Sequence, residues 1–366
     1  MKKIGIVCYP TFGGSGIVAS ELGQALSVKH EIHFISYKKP VRFDSQNKNL
    51  FYHQVNVPDY PLFEYPPYEL ALTTCIVEVT EKYNLDLIHV HYAIPHAYAA
   101  INAKQILLEK SIKIPIVTTL HGTDITLVGK SPYIISAVNY AINQSSIVTA
   151  VSESLKKQTL KYFDIKKEIR VIPNFIDFQN SKFKIKLNNK QPRVITHISN
   201  FRPVKRVQDV VSIFYNIQQK INSKLILIGD GPDFKKIQKM VQTKGLDSIV
   251  QFLGKTKNIK DVLEKTDLFL LPSESESFGL VALEAMSFGV PVITTSSGGI
   301  VDLVVNNENG YNCPVGDVEA MSSNAINLLT NSQLYQKMSS KSYQRAKEYD
   351  VCRVLPMYED CYEAIV

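Results

Sequence analysis

The chain has 366 residues, more than one hydrophobic core ordinarily serves, so two domains are expected. Apolar residues make up 45% and charged residues 20%, the balance of an ordinary globular protein. A formal charge of +7 suits nucleic acid, acidic membrane or small anions, but the Lys residues are scattered and no nucleic-acid-binding motif occurs, which favours small anions. Cys8, Cys75, Cys313, Cys352 and Cys361 form no C-x-x-C pair and no metal-ligand spacing, so reduced thiols and a cytoplasmic location are expected. No apolar run is long enough to cross a bilayer. The opening MKKIGIVCYP superficially resembles a signal peptide, but its apolar run is short and meets Pro10, so it reads as a first strand.

That strand, Ile4 to Cys8, leads through a glycine-rich loop into a helix with Val18, Leu22, Ala25 and Leu26 on one face. Glu31 to Ser36 has strand character and completes a strand, helix, strand unit, which implies a parallel sheet. Within the loop, Gly14-Ser15-Gly16-Ile17-Val18-Ala19 fits the dinucleotide fingerprint G-x-G-x-x-A. The fingerprint calls for an acidic residue at the end of the second strand to hold the ribose of NAD. Here that strand ends in Ser36-Tyr37-Lys38-Lys39, which disfavours NAD and leaves NADP, with Lys38, Lys39 or Arg42 on its phosphate. The alternative is a turn that lends its amides and the Ser15 hydroxyl to a carboxylate. A tight turn that simply needs glycine is compatible with both.

Pro66 to Asn84 reads as a helix and Asp86 to Tyr92 as a strand, with His89 and His91 on one strand face. No Cys or carboxylate accompanies them, His96 or His121 at ligand spacing, so they read as satisfied or pocket-lining histidines and no metal is assigned. Ile114 to Leu120 forms a buried-type strand leading to His121-Gly122-Thr123-Asp124. A His at the C-terminal end of such a strand sits where open α/β sheets bind ligands. It either hydrogen-bonds a ligand hydroxyl or closes the turn through Asp124. Ile147 to Val151 is a further strand, and Ser152 caps a helix to Tyr162.

Val171-Ile172-Pro173-Asn174 and the polar stretch from Lys182 to Arg193 mark a domain crossing, giving domains 1–172 and 173–348. The alternation restarts with strand 193–198, helix 206–220, strand 224–229, helix 232–243, strand 249–253 and a short helix. After strand 198, Arg202, Lys205 and Arg206 gather three cations in five residues, either a solvated basic turn or the edge of an anion site. Asp267 to Thr295 then supplies a strand, a polar loop, a helix from about Phe278 and a second strand after Gly289. Glu276 and Glu284 stand with seven residues between them, one before the helix and one two turns into it. A carboxylate among Leu280, Val281, Ala282, Leu283, Ala285, Met286 and Phe288 needs donors close by. The amides of Phe278, Gly279 and Leu280 open the helix and suit an anion such as phosphate.

The stretch ESESFGLVALEAMSFGVPVIT resembles the E-x7-E signature of retaining glycosyltransferases of family 4. The resemblance runs over essentially the whole chain and implies the GT-B architecture, an α/β fold with two Rossmann-like domains facing a cleft. It also implies a terminal helix from about Tyr349 that crosses back, so residues 349–366 join the first domain. By the same resemblance Glu276 touches hydroxyls of the donor sugar, Glu284 binds the ribose diol, His121 lies beside the sugar, and Leu253 and Gly254 meet the base. SNFRPVKR is similar to the family's G-R-L-x-x-x-K segment: Lys205 matches the Lys, Asn200 takes the place of the Arg, and Arg202 stands two residues on as its substitute on the diphosphate.

TFGGSGIVASELG, YPPYELAL, LDLIHVHYAIPHAYAA and VTTLHGTDITLVG resemble a branch of the family that passes N-acetylglucosamine from UDP-N-acetylglucosamine to the hydroxyl of L-malate, the first step of bacillithiol biosynthesis. Implied with it are a donor substrate rather than a cofactor, no essential metal, no nucleic-acid partner, and a homo-oligomer left open. Gly14, Ser15, Tyr92, Thr119 and Asn174 are the candidates for the malate. The competing readings are another small anionic or sugar acceptor, an NADP-dependent oxidoreductase, and a sugar-nucleotide sensor without turnover.

Overall fold

The structure, a computed structural model, describes residues 1–59, 61–178, 191–256 and 258–366. The chain divides into two compact units: residues 1–174 with 351–366, and residues 175–350. Most of the polar stretch read as a crossing, Lys182 to Lys190, lies outside the described residues.

The first unit alternates strand and helix: β1 (Lys3–Val7), α1 (Gly14–Leu26), β2 (Glu31–Ser36), β3 (Leu50–Gln54), α2 (Tyr68–Tyr83), β4 (Leu87–His91), α3 (Tyr98–Glu109), β5 (Ile116–Leu120), α4 (Ile135–Gln144), β6 (Ile147–Ala150), α5 (Glu153–Tyr162) and β7 (Ile169–Val171). Its sheet runs β3-β2-β1-β4-β5-β6-β7, every pair parallel. Central strands such as β4 and β5 are buried along their whole length, because helices cover both faces of a parallel sheet. Strand order reverses between β1 and β4, which pair with each other, Ile4 opposite Leu87. That reversal is the topological switch point, where the loops after the two strands part and leave a crevice.

Two features differ from the sequence reading. Between Ser36 and Pro66 the chain adds β3, an edge strand whose LFYHQ is too short and too polar to announce itself. Val171, read as part of the crossing, ends β7 and pairs with Ala150 as the opposite edge of the first sheet.

The second unit continues with β8 (Arg193–Ile198), α6 (Val207–Gln218), β9 (Ser223–Ile228), α7 (Phe234–Thr243), β10 (Val250–Gly254), α8 (Ile259–Leu263), β11 (Leu268–Leu271), α9 (Leu280–Met286), β12 (Val292–Thr295), α10 (Ile300–Leu303), β13 (Gly310–Cys313), α11 (Val318–Thr330) and α12 (Ser332–Lys347). Its sheet, again parallel, runs β10-β9-β8-β11-β12-β13, with the switch point between β8 and β11. The core joins the apolar faces of α6 and α11 to Leu225, Leu227, Leu268 and Leu270. The last helix, α13 (Val351–Glu363), belongs to the first unit, where Tyr358 and Tyr362 are buried. No helix among the described residues is long and apolar enough to cross a membrane.

Candidate active site

The second unit's switch point is built from the loops after β8 and β11. Glu274 donates its amide to the Val204 carbonyl at 2.8 Å, so the two loops are tied through their backbones. Across that tie Lys205 Nζ donates to Glu276 Oε1 at 2.6 Å, and Ser273 Oγ donates to the same oxygen at 2.7 Å. Both charges are largely out of solvent, at 18% and 10% side-chain exposure, so the pair is held rather than transient. Glu276 Oε2 has no hydrogen-bond partner among the described residues. One oxygen is thus spent on positioning and the other remains an open acceptor.

The backbone of Glu276 is fixed as firmly. Its carbonyl accepts the Gly299 amide at 2.6 Å, and the residue bridges to Gly298. Gly298 has φ +79°, and a Cβ there would fall 2.2 Å from the Glu276 carbonyl oxygen, so only glycine permits the approach. On the β8 side, His197 Nδ1 donates to the Leu270 carbonyl at 2.8 Å, leaving Nε2 to accept from Ser199 Oγ at 2.8 Å. Ser199 Oγ in turn accepts the Phe201 amide at 3.3 Å. Burial pushes His197 down to about 4, so this relay is neutral, and it braces the turn that carries the cations.

Of the three cations in that turn, Lys205 is paired with Glu276 and Arg206 with Asp209, at 2.6 Å. Arg202 keeps a buried Nε with no partner. Gly229 and Gly231 pack on the same turn: a Cβ on either would fall within about 2 Å of the Ser199 or Asn200 carbonyl oxygen. Gly229 also donates its amide to the Gly254 carbonyl at 2.9 Å, which sets Leu253 and Gly254 beside that loop.

The helix after the loop begins at Leu280, two residues later than predicted. Gly279 stands before it with φ +91°, where a Cβ would meet Ile300 Cδ1 at 2.2 Å. A left-handed residue cannot continue a helix, so the amides of Phe278 and Gly279 belong to the preceding turn. Phe278 is buried edge-on against Tyr349, ring centroids 5.5 Å apart. Glu284 lies in the second turn of α9, half-buried, with its carbonyl taking the Ser287 hydroxyl at 2.7 Å.

In the first unit, Gly14 and Ser15 open α1 and Tyr92 follows β4, so all three sit at that unit's switch point. Ser15 Oγ and Tyr92 Oη share a hydrogen bond of 2.6 Å. Tyr92 has φ +88° and ψ +136°, a region populated almost solely by glycine, and its amide is held by the Thr119 carbonyl at 2.9 Å. Such a conformation survives only where the surroundings impose it. Gly16 lets α1 lie on the loop before it, since a Cβ would fall 2.4 Å from the Thr11 carbonyl oxygen.

Asp124 accepts the amides of His121, Gly122 and Ala93, binding the turns after β5 and β4 together. Burial raises its pKa to about 6, with those three amides pulling the other way. The turn-closing part of the sequence reading is therefore Asp124's work, and the His121 ring is left for another partner. His121 Nε2 lies 2.8 Å from His91 Nδ1. Next to them His89 bridges Tyr362 Oη and Thr119 Oγ1, both at 2.7 Å, and Thr119 Oγ1 also meets Thr149 Oγ1 at 2.7 Å. Burial lowers all four of His89, His91, His96 and His121, to about 3 for His89 and His121 and about 4 for His96.

The structure therefore brings Lys205 to Glu276 and Ser15 to Tyr92, and sets Thr119 among His89 and Thr149. Its hydroxyl is wholly buried in the network of His89 and Thr149, where it ties the strand ends together. Asn174 is buried with Oδ1 unpartnered. Arg42, one candidate for an NADP phosphate, is held by Glu21 in an ion pair. Sequence reasoning missed Ser273 and Gly298. A hydroxyl three residues before Glu276 and a Gly-Gly pair after β12 were the available signals. Among the described residues no group of three or more His, Cys, Asp or Glu side chains is arranged to hold a metal ion.

Residues 12–180 match the family model described as Glycosyltransferase Family 4, and residues 178–345 match that of Glycosyl transferases group 1. The chain is 44% identical to the N-acetyl-alpha-D-glucosaminyl L-malate synthase of Bacillus anthracis, over 98% of this chain and 96% of that one. It is 27% identical to an uncharacterized glycosyltransferase of Methanocaldococcus jannaschii, over 97% and 96%. Among solved structures, Anabaena HepE in complex with UDP superposes with a TM-score of 0.81 at 19% identity, covering both chains fully. Sucrose-phosphate synthase from Thermosynechococcus elongatus gives 0.81 at 17% identity, over 100% of this chain and 99% of that one. These likenesses establish the GT-B fold.

Proposed function

Because the chain belongs to glycosyltransferase family 4, we propose that it moves N-acetylglucosamine from UDP-N-acetylglucosamine to the hydroxyl of L-malate, with retention at the anomeric carbon. The observation that carries the donor half is the Glu276 carboxylate, one oxygen anchored by Lys205 and Ser273 and the other open to a sugar hydroxyl. In this reading Glu276 and His121 hold the sugar, Glu284 the ribose diol, and Leu253 and Gly254 the base. Lys205, with Arg202 and the amides of Phe278, Gly279 and Leu280, takes the diphosphate. An ammonium has three donors, so Lys205 can serve a phosphate oxygen while it keeps Glu276.

Retention through two displacements requires a carboxylate nucleophile beneath the anomeric carbon. Glu276 does not suit that role, because the ion pair and the Ser273 hydrogen bond oppose its attack. A front-face route fits better. The bond from the anomeric carbon to the UDP phosphate oxygen breaks, the malate oxygen bonds from the same face, and the departing phosphate oxygen takes the malate proton. Lys205 and Arg202 stabilise the charge that develops on UDP, so catalysis rests on positioning and electrostatics, and no essential metal or cofactor is proposed.

Malate as acceptor is supported by the name of the 44% identical relative and by the first unit's switch point. There the N-terminus of α1, a 13-residue helix, offers amides to a carboxylate, and the Ser15–Tyr92 pair offers hydroxyls. Asn174 Oδ1 is a further acceptor for the malate hydroxyl proton before transfer. Proton NMR of the product formed in the presence of EDTA tests the proposal. An α-linked N-acetylglucosaminyl malate is expected. A β-linked product would overturn the front-face mechanism, and product formed only from a different acceptor would overturn malate.

A further inference from the structure

The geometry points to His91 as a positioning residue that fixes the ring proton of His121 on Nδ1, so that His121 presents an N–H donor to an oxygen of the bound sugar. The inference rests on the reading in which His121 holds the sugar, and it concerns which chemical face the ring offers.

His91 Nδ1 and His121 Nε2 lie 2.8 Å apart, so one nitrogen carries the hydrogen and the other the lone pair. Both rings are neutral, because burial disfavours the imidazolium. A neutral imidazole has one N–H and one bare nitrogen, so assigning this shared hydrogen assigns both rings. His91 Nε2 decides between the two arrangements: it is buried and has no hydrogen-bond partner. If His121 were the donor, His91 would have to carry its hydrogen on Nε2, an orphaned buried N–H. If His91 Nδ1 is the donor, only a lone pair is left unmatched at Nε2. Orphaned N–H groups are the rarer and costlier of the two.

His91 Nδ1 therefore donates, His121 Nε2 accepts, and the remaining hydrogen of His121 sits on Nδ1. That atom has no partner among the described residues, and His121 retains 9% exposure where His91 has none. The backbones of both residues and the ring of His91 are held by their neighbours. His96 Nδ1 donates to the His91 carbonyl at 2.6 Å, Asp124 takes the His121 amide, and His89 stacks on His91 with centroids 4.6 Å apart. The consequence is selectivity: the N–H donates to a hydroxyl or carbonyl oxygen and disfavours an ammonium or another N–H.

The test is long-range proton–nitrogen NMR on the full chain labelled with nitrogen-15 at histidine, with His121→Gln identifying the His121 signals. His121 is expected as the Nδ1–H tautomer. Finding Nε2–H in the unsubstituted protein would overturn the inference before any variant is made. His91→Asn places an amide N–H where Nδ1 stood, and His91→Leu places none, while both lose the ring. Asn is expected to keep the His121 tautomer and a donor KM within about threefold. Leu is expected to give a tautomer mixture and raise donor KM about tenfold, with kcat changed less, the size of one lost hydrogen bond. An unchanged tautomer in His91→Leu would overturn the role of His91. A changed tautomer with unchanged donor KM would uphold that role and overturn the assignment of the sugar to His121.

Discussion

Glu276 has one carboxylate oxygen occupied twice and one open, so its charge and its direction are set before any ligand arrives. Glu276→Gln keeps the shape but loses the charge that holds Lys205. Its kcat is expected to fall about 10²-fold or more, with UDP affinity changed far less, as measured by initial rates and calorimetric titration of UDP. Lys205→Met removes the charge proposed to stabilise departing UDP and is expected to lower kcat about 10²- to 10³-fold. Equal kcat in either variant would remove that residue from the mechanism. Both residues were singled out by the family resemblance, Glu276 through the E-x7-E signature and Lys205 through the G-R-L-x-x-x-K segment, while spacing and a cation cluster alone left plainer readings open. Their ion pair was not legible, because 71 positions separate them and nothing local encodes the meeting. Ser273, only three residues from Glu276, looked like any loop hydroxyl. That Thr119 spends its hydroxyl on His89 and Thr149 was not legible, because both partners lie 30 positions away.

At the scale of the element, loops after parallel strands carry the site, and glycines decide how closely they approach. Gly298→Ala would force a Cβ into the Glu276 carbonyl at a φ of +79°. It is expected to cost about 1–3 kcal/mol in urea unfolding and to lower kcat by displacing Glu276. Ser152→Ala is the contrasting case. It removes the hydroxyl that caps α5 through the Leu155 amide at 3.1 Å, and it is expected to cost about 1 kcal/mol with kcat unchanged. The Ser152 cap could be read directly because a cap is settled within three residues. The start of α9 was misplaced by two residues because the apolar pattern runs on through Gly279, while the left-handed turn there follows from its packing against Ile300. β3 escaped because a five-residue, half-exposed edge strand has almost no periodic signal.

Over the whole molecule, all eight histidines are held below their ordinary value, with burial as the first cause. Between about pH 6.5 and the lowered values, which reach about 3 to 4, the unfolded chain binds more protons than the native one. Stability therefore rises with pH across that window and is lost as pH falls through it. Asp124, raised to about 6, and Glu69, also raised by burial, run the opposite way, since a raised carboxyl makes the native state the better proton binder above about pH 4, but they are two groups against eight. Thermal melts from pH 7.5 to 5 are expected to show a steadily falling Tm, and a flat or rising Tm would contradict the burial of these rings. The strand and helix alternation made both α/β units legible. The seating of Tyr362 on His89, 273 residues earlier, was beyond any pattern in the sequence, and only the family resemblance implied that the last helix returns to the first unit.

The central claim, malate-dependent transfer from UDP-N-acetylglucosamine, is tested most directly by the rate of UDP release from that donor by the purified chain, in EDTA, with and without L-malate. The account predicts fast release that requires malate and collapses in Glu276→Gln. Release that is indifferent to malate, or equally fast in Glu276→Gln, would contradict it.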